Sequence, residues 1–183
     1  ANLTMKQTQF TILAILALLL TACSGENLAA DQLPWVGNQP ILFKDDFVHS
    51  KGIWSTHSDA ASFSGYDQNG FRLSTNIPNY QFWSVPGLNF QDVQIHTRAN
   101  KLSGPDDNLF GVICRYQNPR NFYALVIGSD GYYGIFKMLN GEFLLINKSA
   151  MTFSKVIKTG NSFNQLHAVC QGERLALVVN GTK

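Results

Sequence analysis

The chain has 183 residues, a formal net charge of +2 and only 14% charged residues, with no run of basic side chains. Such sparse, balanced charge excludes the electrostatic footprint of a nucleic-acid partner or of charge-driven attachment to a membrane surface. Without its apolar leader the chain keeps ~160 residues, enough for one domain with a substantial core and too few for two; the 15 Gly and 12% aromatic residues suit a sheet-rich domain with many turns.

In chain order, Met5-Lys6-Gln7 gives a basic start, Phe10 to Ala22 is apolar, and Leu19-Leu20-Thr21-Ala22-Cys23 closes the run with small residues before a cysteine. That pattern is an export signal. A helix crossing a bilayer needs ~20 apolar residues, and this run meets the polar Ser24-Gly25-Glu26-Asn27 well before that. Residues 1–22 are therefore expected to be a signal peptide rather than a membrane span. Leu20-Thr21-Ala22-Cys23 resembles the bacterial lipobox, which implies lipid on the Cys23 sulfur, cleavage before it and acylation of its amine. More than one acyl chain makes anchoring durable. The resulting expectation is a lipoprotein of the cell envelope, anchored to the membrane through Cys23 and facing the extracytoplasmic side; the alternative is a secretory leader with an incidental cysteine. Residues 23–40, with Ala, Asn, Gly and Pro and no hydrophobic period, read as the lipidated tether, and residues 41–183 as the folded domain.

From Ile41 the pattern changes to short strands separated by turns. Strands are predicted over Ile41 to Phe47, Phe71 to Thr75, Gln81 to Val85, Asp92 to Arg98, Phe110 to Tyr116, Phe122 to Gly128, Tyr132 to Met138, Glu142 to Asn147, Gln165 to Gln171 and Leu175 to Asn180. No segment carries a helical period. Val93, Ile95 and Thr97 alternate with Gln94, His96 and Arg98, giving one buried and one solvated face, as in antiparallel sheets packed together. Ser129-Asp130-Gly131, Asn140-Gly141 and Gly172-Glu173 are tight-turn signals between strands. The fold class is therefore all-β, a two-sheet antiparallel β-sandwich of meandering hairpins. Leu175 to Val179 runs into Asn180-Gly181-Thr182, a hairpin turn whose returning arm is absent from the sequence, so the domain reads as truncated at its C-terminus; an edge left open there would otherwise need a strand from a partner.

Cys114 and Cys170 remain after the leader, an even pair in an oxidising compartment, and are expected to form a disulfide. Closing a loop of ~55 residues contributes about 4 kcal/mol on the chain-entropy model. Two reduced core cysteines are the alternative. A zinc site would need more Cys or His at short spacing.

Phe43-Lys44-Asp45-Asp46-Phe47, Trp83-Ser84, Asp92-Val93, Phe110-Gly111-Val112-Ile113-Cys114-Arg115-Tyr116, Asn121-Phe122-Tyr123, Ser129-Asp130-Gly131-Tyr132 and Leu166-His167-Ala168-Val169-Cys170 through Val179-Asn180-Gly181 resemble the concanavalin A-like, laminin-G-like jelly-roll domains. More particularly they resemble a bacterial extracellular branch related to the 3-keto-disaccharide hydrolase group. The resemblance spans Ile41 to the end of the chain. It implies two curved antiparallel sheets whose concave face often holds saccharide, and a family that continues past the Asn-Gly turn with one or two further strands.

Chemistry is harder to place. Glycoside hydrolysis needs two carboxyl groups facing each other across the bond to be cut, but the Glu-x-Asp-x-x-Glu signature of family-16 glycosidases is absent. The three Glu are Glu26 in the tether and Glu142 and Glu173 beside predicted turns. His49, His57, His96 and His167 form no metal-binding spacing; His57 and Asp59 share a face but lie in a loop-like stretch. There is no nucleophile elbow and no phosphate loop. No catalytic residue is assigned.

Binding has more support, because sugars stack apolar C–H faces on exposed rings while polar neighbours take their hydroxyls. Trp83, Arg115 and Tyr123 are the first candidate ligand cluster, with Tyr132 as a further aromatic; core packing for the rings, and pairing of Arg115 with Asp92 or Asp130, are the alternatives. Asp45-Asp46 and Asp106-Asp107 offer oxygen ligands to calcium, with Asp45 the first candidate for a structural ion; solvated loop acids are the alternative. The sequence thus points to a surface-anchored, non-catalytic jelly-roll lipoprotein that binds polysaccharide, other glycans or an envelope protein. Competing readings are a keto-disaccharide or glycoside hydrolase-like enzyme and a structural lipoprotein acting in a larger assembly.

Overall fold

The computed structural model describes residues 40–183 except Asn69 and Asn147. The segment read as a signal peptide, Cys23 and nearly all of the expected tether lie outside the described residues. Within them the chain is all-β, antiparallel throughout and without helix. The strands are β1 (His57–Ser58), β2 (Ser62–Asp67), β3 (Gly70–Thr75), β4 (Val93–Ala99), β5 (Leu109–Asn118), β6 (Asn121–Gly128), β7 (Tyr132–Leu139), β8 (Glu142–Leu145), β9 (Thr152–Phe153), β10 (Asn164–Gln171) and β11 (Arg174–Val179).

Two sheets pack face to face, one ordered β11-β10-β4 and the other β5-β6-β7-β8 with β9 on β7. Period-two alternation turns Ile95, Leu166, Ala168 and Leu177 of the first sheet toward Val112, Leu125 and Ile127 of the second, and these side chains form the main core. The Cys114–Cys170 disulfide crosses that core from β5 to β10. The opposite face of the second sheet is apolar too, because β6 alternates two sets of hydrophobic residues: Phe122, Ala124 and Val126 pack with Met138, Phe136 and Phe143 into a second cluster, covered by Trp83. A strand buried on both faces reads as a continuous apolar run, as Phe122 to Ile127 does.

A third, smaller sheet, β1-β2-β3, carries aromatic packing of its own. Trp54 lies 5.5 Å from Phe47 and 5.4 Å from Phe71 between ring centroids.

The predicted turns form. Asn140-Gly141 and Asn180-Gly181 both adopt positive φ, at 53° and 91° and at 50° and 83°, the pairing that matches the twist of two-residue hairpins. After the second turn Thr182 bridges back to Val179.

Two predicted strands are corrected. Ile41 to Phe47 is not a strand, since the Asp45 carboxylate takes the Phe47 N–H and that of Asp46 takes the Val48 N–H. These local bonds turn the chain, with Phe47 at φ 59°, and compete with ladder pairing. Gln81 to Val85 is also irregular: Ser55 claims the Val85 carbonyl, and Trp83 folds down on Phe122. Conversely, β2 escaped prediction because Ser62-Phe63-Ser64-Gly65 looks like a loop, and its pairing with β3 supplies the context.

Candidate functional site

The outward face of the β4-β10-β11 sheet ends in a cleft of about 370 Å³ lined by Arg98, Lys158, Phe163, Gln165 and Asn180. Each is placed by a local rule. Thr97 faces the core side, so Arg98 faces out, and the β4/β10 register sets it directly opposite Gln165. Asn164 is fully buried, so its predecessor Phe163 is turned outward, with 53% of its surface exposed. The Arg98 guanidinium lies 4.9 Å from the Phe163 ring centroid.

One buried and one half-buried amide fix the floor. Asn164 accepts from the Lys158 N–H and donates to the Lys158 carbonyl, both at 2.9 Å, which clamps the segment that carries the Lys158 side chain. Asn180 donates to the Val156 carbonyl and to the Asn164 side chain, and it accepts from the Gln165 N–H. Every polar atom of both amides is therefore used, as burial demands. Asn180 shapes the cleft, while Arg98, Lys158 and the Gln165 side chain remain available to a ligand. No carboxylate lines the cleft.

Beside this row, register pairs His96 with His167, and their rings stack at 3.8 Å between centroids. His167 also bonds Gln94 at 3.2 Å. Burial holds the His167 imidazole below its usual pKa, and the neighbouring His96 adds to the effect.

Of the ligand candidates named from sequence, Arg115 and Tyr123 meet, whereas Trp83 and Tyr132 lie apart from them. Trp83 packs on Phe122, 5.1 Å between centroids, on the outer apolar face of the second sheet. Tyr123 is the next residue along β6 and points to the opposite face, toward the main core. Arg115 lies 6.0 Å from the Tyr123 ring, but its guanidinium is committed to the Asp92 carboxylate and to the carbonyls of Gln91 and Gly172. Its φ of 51° falls in the bulge between Cys114 and Asn118, so Arg115 ties two loops to a kinked strand. Tyr132 is exposed and packs on Phe153. It begins β7 five residues before Lys137, the partner of Tyr123, which is ~17 Å away along a strand.

Asp45 is met by donors rather than poised for an ion. One oxygen accepts from Phe47 N–H at 2.9 Å, the other from Trp54 Nε1–H at 3.0 Å and Tyr66 O–H at 2.7 Å. Partial burial raises its pKa, but these hydrogen bonds outweigh it and hold the carboxyl below its usual value. Among the described residues no group of three or more His, Cys, Asp or Glu is arranged to hold a metal.

His57 and Asp59 do meet, at 2.9 Å. The Asp59 carboxyl is lowered to about 2, first by the N–H groups of Ser62 and Ala61 and then by His57. Ser62 donates its hydroxyl to the carboxylate rather than to the imidazole, so it is not placed as the hydroxyl of a nucleophile–base pair. Asp59 is the cap of a turn.

Arg98 was visible as an alternating outward residue, but nothing local linked it to Gln165, Phe163 or Asn180. The fold and site together define an antiparallel β-sandwich with a cationic, aromatic cleft on one sheet. No family model, curated protein or solved structure matches the chain.

Proposed function

We propose that the protein is a lipid-anchored lipoprotein of the bacterial cell envelope whose jelly-roll-like sandwich binds saccharide without transforming it. The observation that carries the binding reading is the cleft itself: an exposed Phe163 ring beside Arg98, Lys158 and the Gln165 amide, on a floor fixed by Asn164 and Asn180. An apolar ring with polar groups at its edge is the arrangement that accepts a sugar ring and its substituents. A volume near 370 Å³ falls at the small end of the range for ligand pockets. A binding rather than a hydrolytic role is favoured because the lining offers no pair of carboxyl groups to act as acid and base. The anchor rests on the sequence from Met5 to Cys23.

The test is a glycan array probed with the full chain in detergent, alongside Phe163→Ala and Gln165→Ala. Saturable binding lost in these variants, with an unchanged melting temperature, is the expected result. Binding that survives both changes would move the site elsewhere, and a folded chain that retains no glycan would favour the role of structural lipoprotein. Metabolic labelling with a fatty-acid analogue, lost in Cys23→Ser, checks the anchor.

A further inference from the structure

We propose that the cleft selects acidic saccharides, with a sugar carboxylate or sulfate ester received by Arg98 and Lys158; this rests on the saccharide-binding reading above. A neutral sugar presents hydroxyls, each of which both gives and takes a hydrogen bond, and neutral-sugar sites accordingly need acceptors as well as donors. This cleft supplies almost only donors. The guanidinium of Arg98 and the ammonium of Lys158 cannot accept, the Asn180 amide is spent on Val156, Asn164 and Gln165, and no carboxylate lines the walls. The side-chain oxygen of Gln165 is the one uncommitted amide acceptor among the lining residues. A donor-rich wall is matched by a group that only accepts, which is an ionised carboxylate or a sulfate.

Charge leads to the same conclusion. Arg72, Arg115, Lys101 and His57 are each paired with an Asp, whereas among the described residues neither Arg98 nor Lys158 has an acidic partner. Arg98 is instead held over the Phe163 ring at 4.9 Å. Stacking leaves the in-plane N–H groups of a guanidinium free, so Arg98 keeps its fork for a bidentate anion. Phe163 then serves twice, orienting Arg98 and offering ring surface to the sugar.

The test measures binding of the full chain to matched oligosaccharides: uronates against their methyl esters, and sulfated galactans against desulfated ones. The acidic member of at least one pair is expected to bind about tenfold tighter or more, the scale of a charge-assisted bidentate contact. That preference should shrink on going from about 0.05 to 0.5 M salt. Arg98→Gln and Lys158→Gln should each reduce the ratio toward one without changing the melting temperature. Which pair shows the preference distinguishes carboxylate from sulfate. Equal binding of acidic and neutral members, unaffected by Arg98→Gln, overturns acid selection and leaves saccharide binding standing. Absence of binding to every member by a folded chain overturns both.

Discussion

Asp45 shows how much a single carboxylate can organise. It holds the backbone of Phe47, the indole of Trp54 and the phenol of Tyr66, and those rings form the aromatic cluster that backs β2 and β3. Asp45→Ala removes the acceptor of three donors and is expected to cost about 1–3 kcal/mol, read as a lower urea midpoint and an altered Trp54 emission. Because the folded carboxyl titrates below its ordinary 3.8, its contribution is complete above that pH and is lost as pH falls further. His167 has a dependence of the same sign at higher pH. Burial first, and His96 second, disfavour its charged form below the ordinary 6.5, so the unfolded chain binds a proton before the folded one does. Stability is therefore full above about pH 6.5 and falls as pH drops through that value toward the folded pKa. His167→Gln should flatten the decline in urea midpoint between about pH 7.5 and 5.5; an unchanged slope would place the titrating group elsewhere.

At the scale of elements, β5 and β6 depend on a close backbone approach. A Cβ added at Gly111 would overlap the Leu125 carbonyl oxygen and come within 2.8 Å of the Val126 Cα. Both are backbone atoms of the paired strand and cannot swing away. Gly111→Ala is thus expected to destabilise by about 1–3 kcal/mol, the usual scale of overpacking, whereas alanine at a surface position of the same strand should change little. Strand identity was largely legible in the sequence where alternation was clean, as in Val93 to Arg98, or where a run was apolar throughout, as in Phe122 to Ile127. It failed at Ile41 to Phe47, where carboxylates at 45 and 46 capture N–H groups, and at β2, whose serines and glycine have no strand preference apart from their partner.

For the whole molecule, the bond from Cys114 to Cys170 joins the two sheets across 56 residues. Replacing both cysteines by Ala is expected to lower stability by about 4 kcal/mol on the chain-entropy account, measured by urea unfolding of the double variant against the oxidised parent. Reduction by dithiothreitol should be slow in the folded state, since both residues are buried. Cys114 and Cys170 were paired by arithmetic alone, but the ligand site was not legible in the same way. Arg115, Trp83 and Tyr123 were attractive as a cluster because a charged residue on a sheet face needs a partner or ligand and rings offer stacking surface. Consecutive strand residues face opposite ways, however, and that placed Phe122 with its cover Trp83 on one side of the sheet and Tyr123 on the other.

What the sequence determined by itself is local: the period of two that makes strands, the Asn-Gly pairs that make hairpin turns, and the two cysteines within the folded region. These depend on neighbours in the chain, whose spacing is fixed by covalent geometry. Tertiary structure alone decided which side chains meet. Arg98 joined Gln165, and His96 joined His167, only through the β4/β10 register, while Phe163 and Asn180 reached the same cleft because Asn164 was drawn into the core. Register and burial balance interactions across many residues, and a one-residue slip reverses every face, so no local stretch of the chain could specify that meeting.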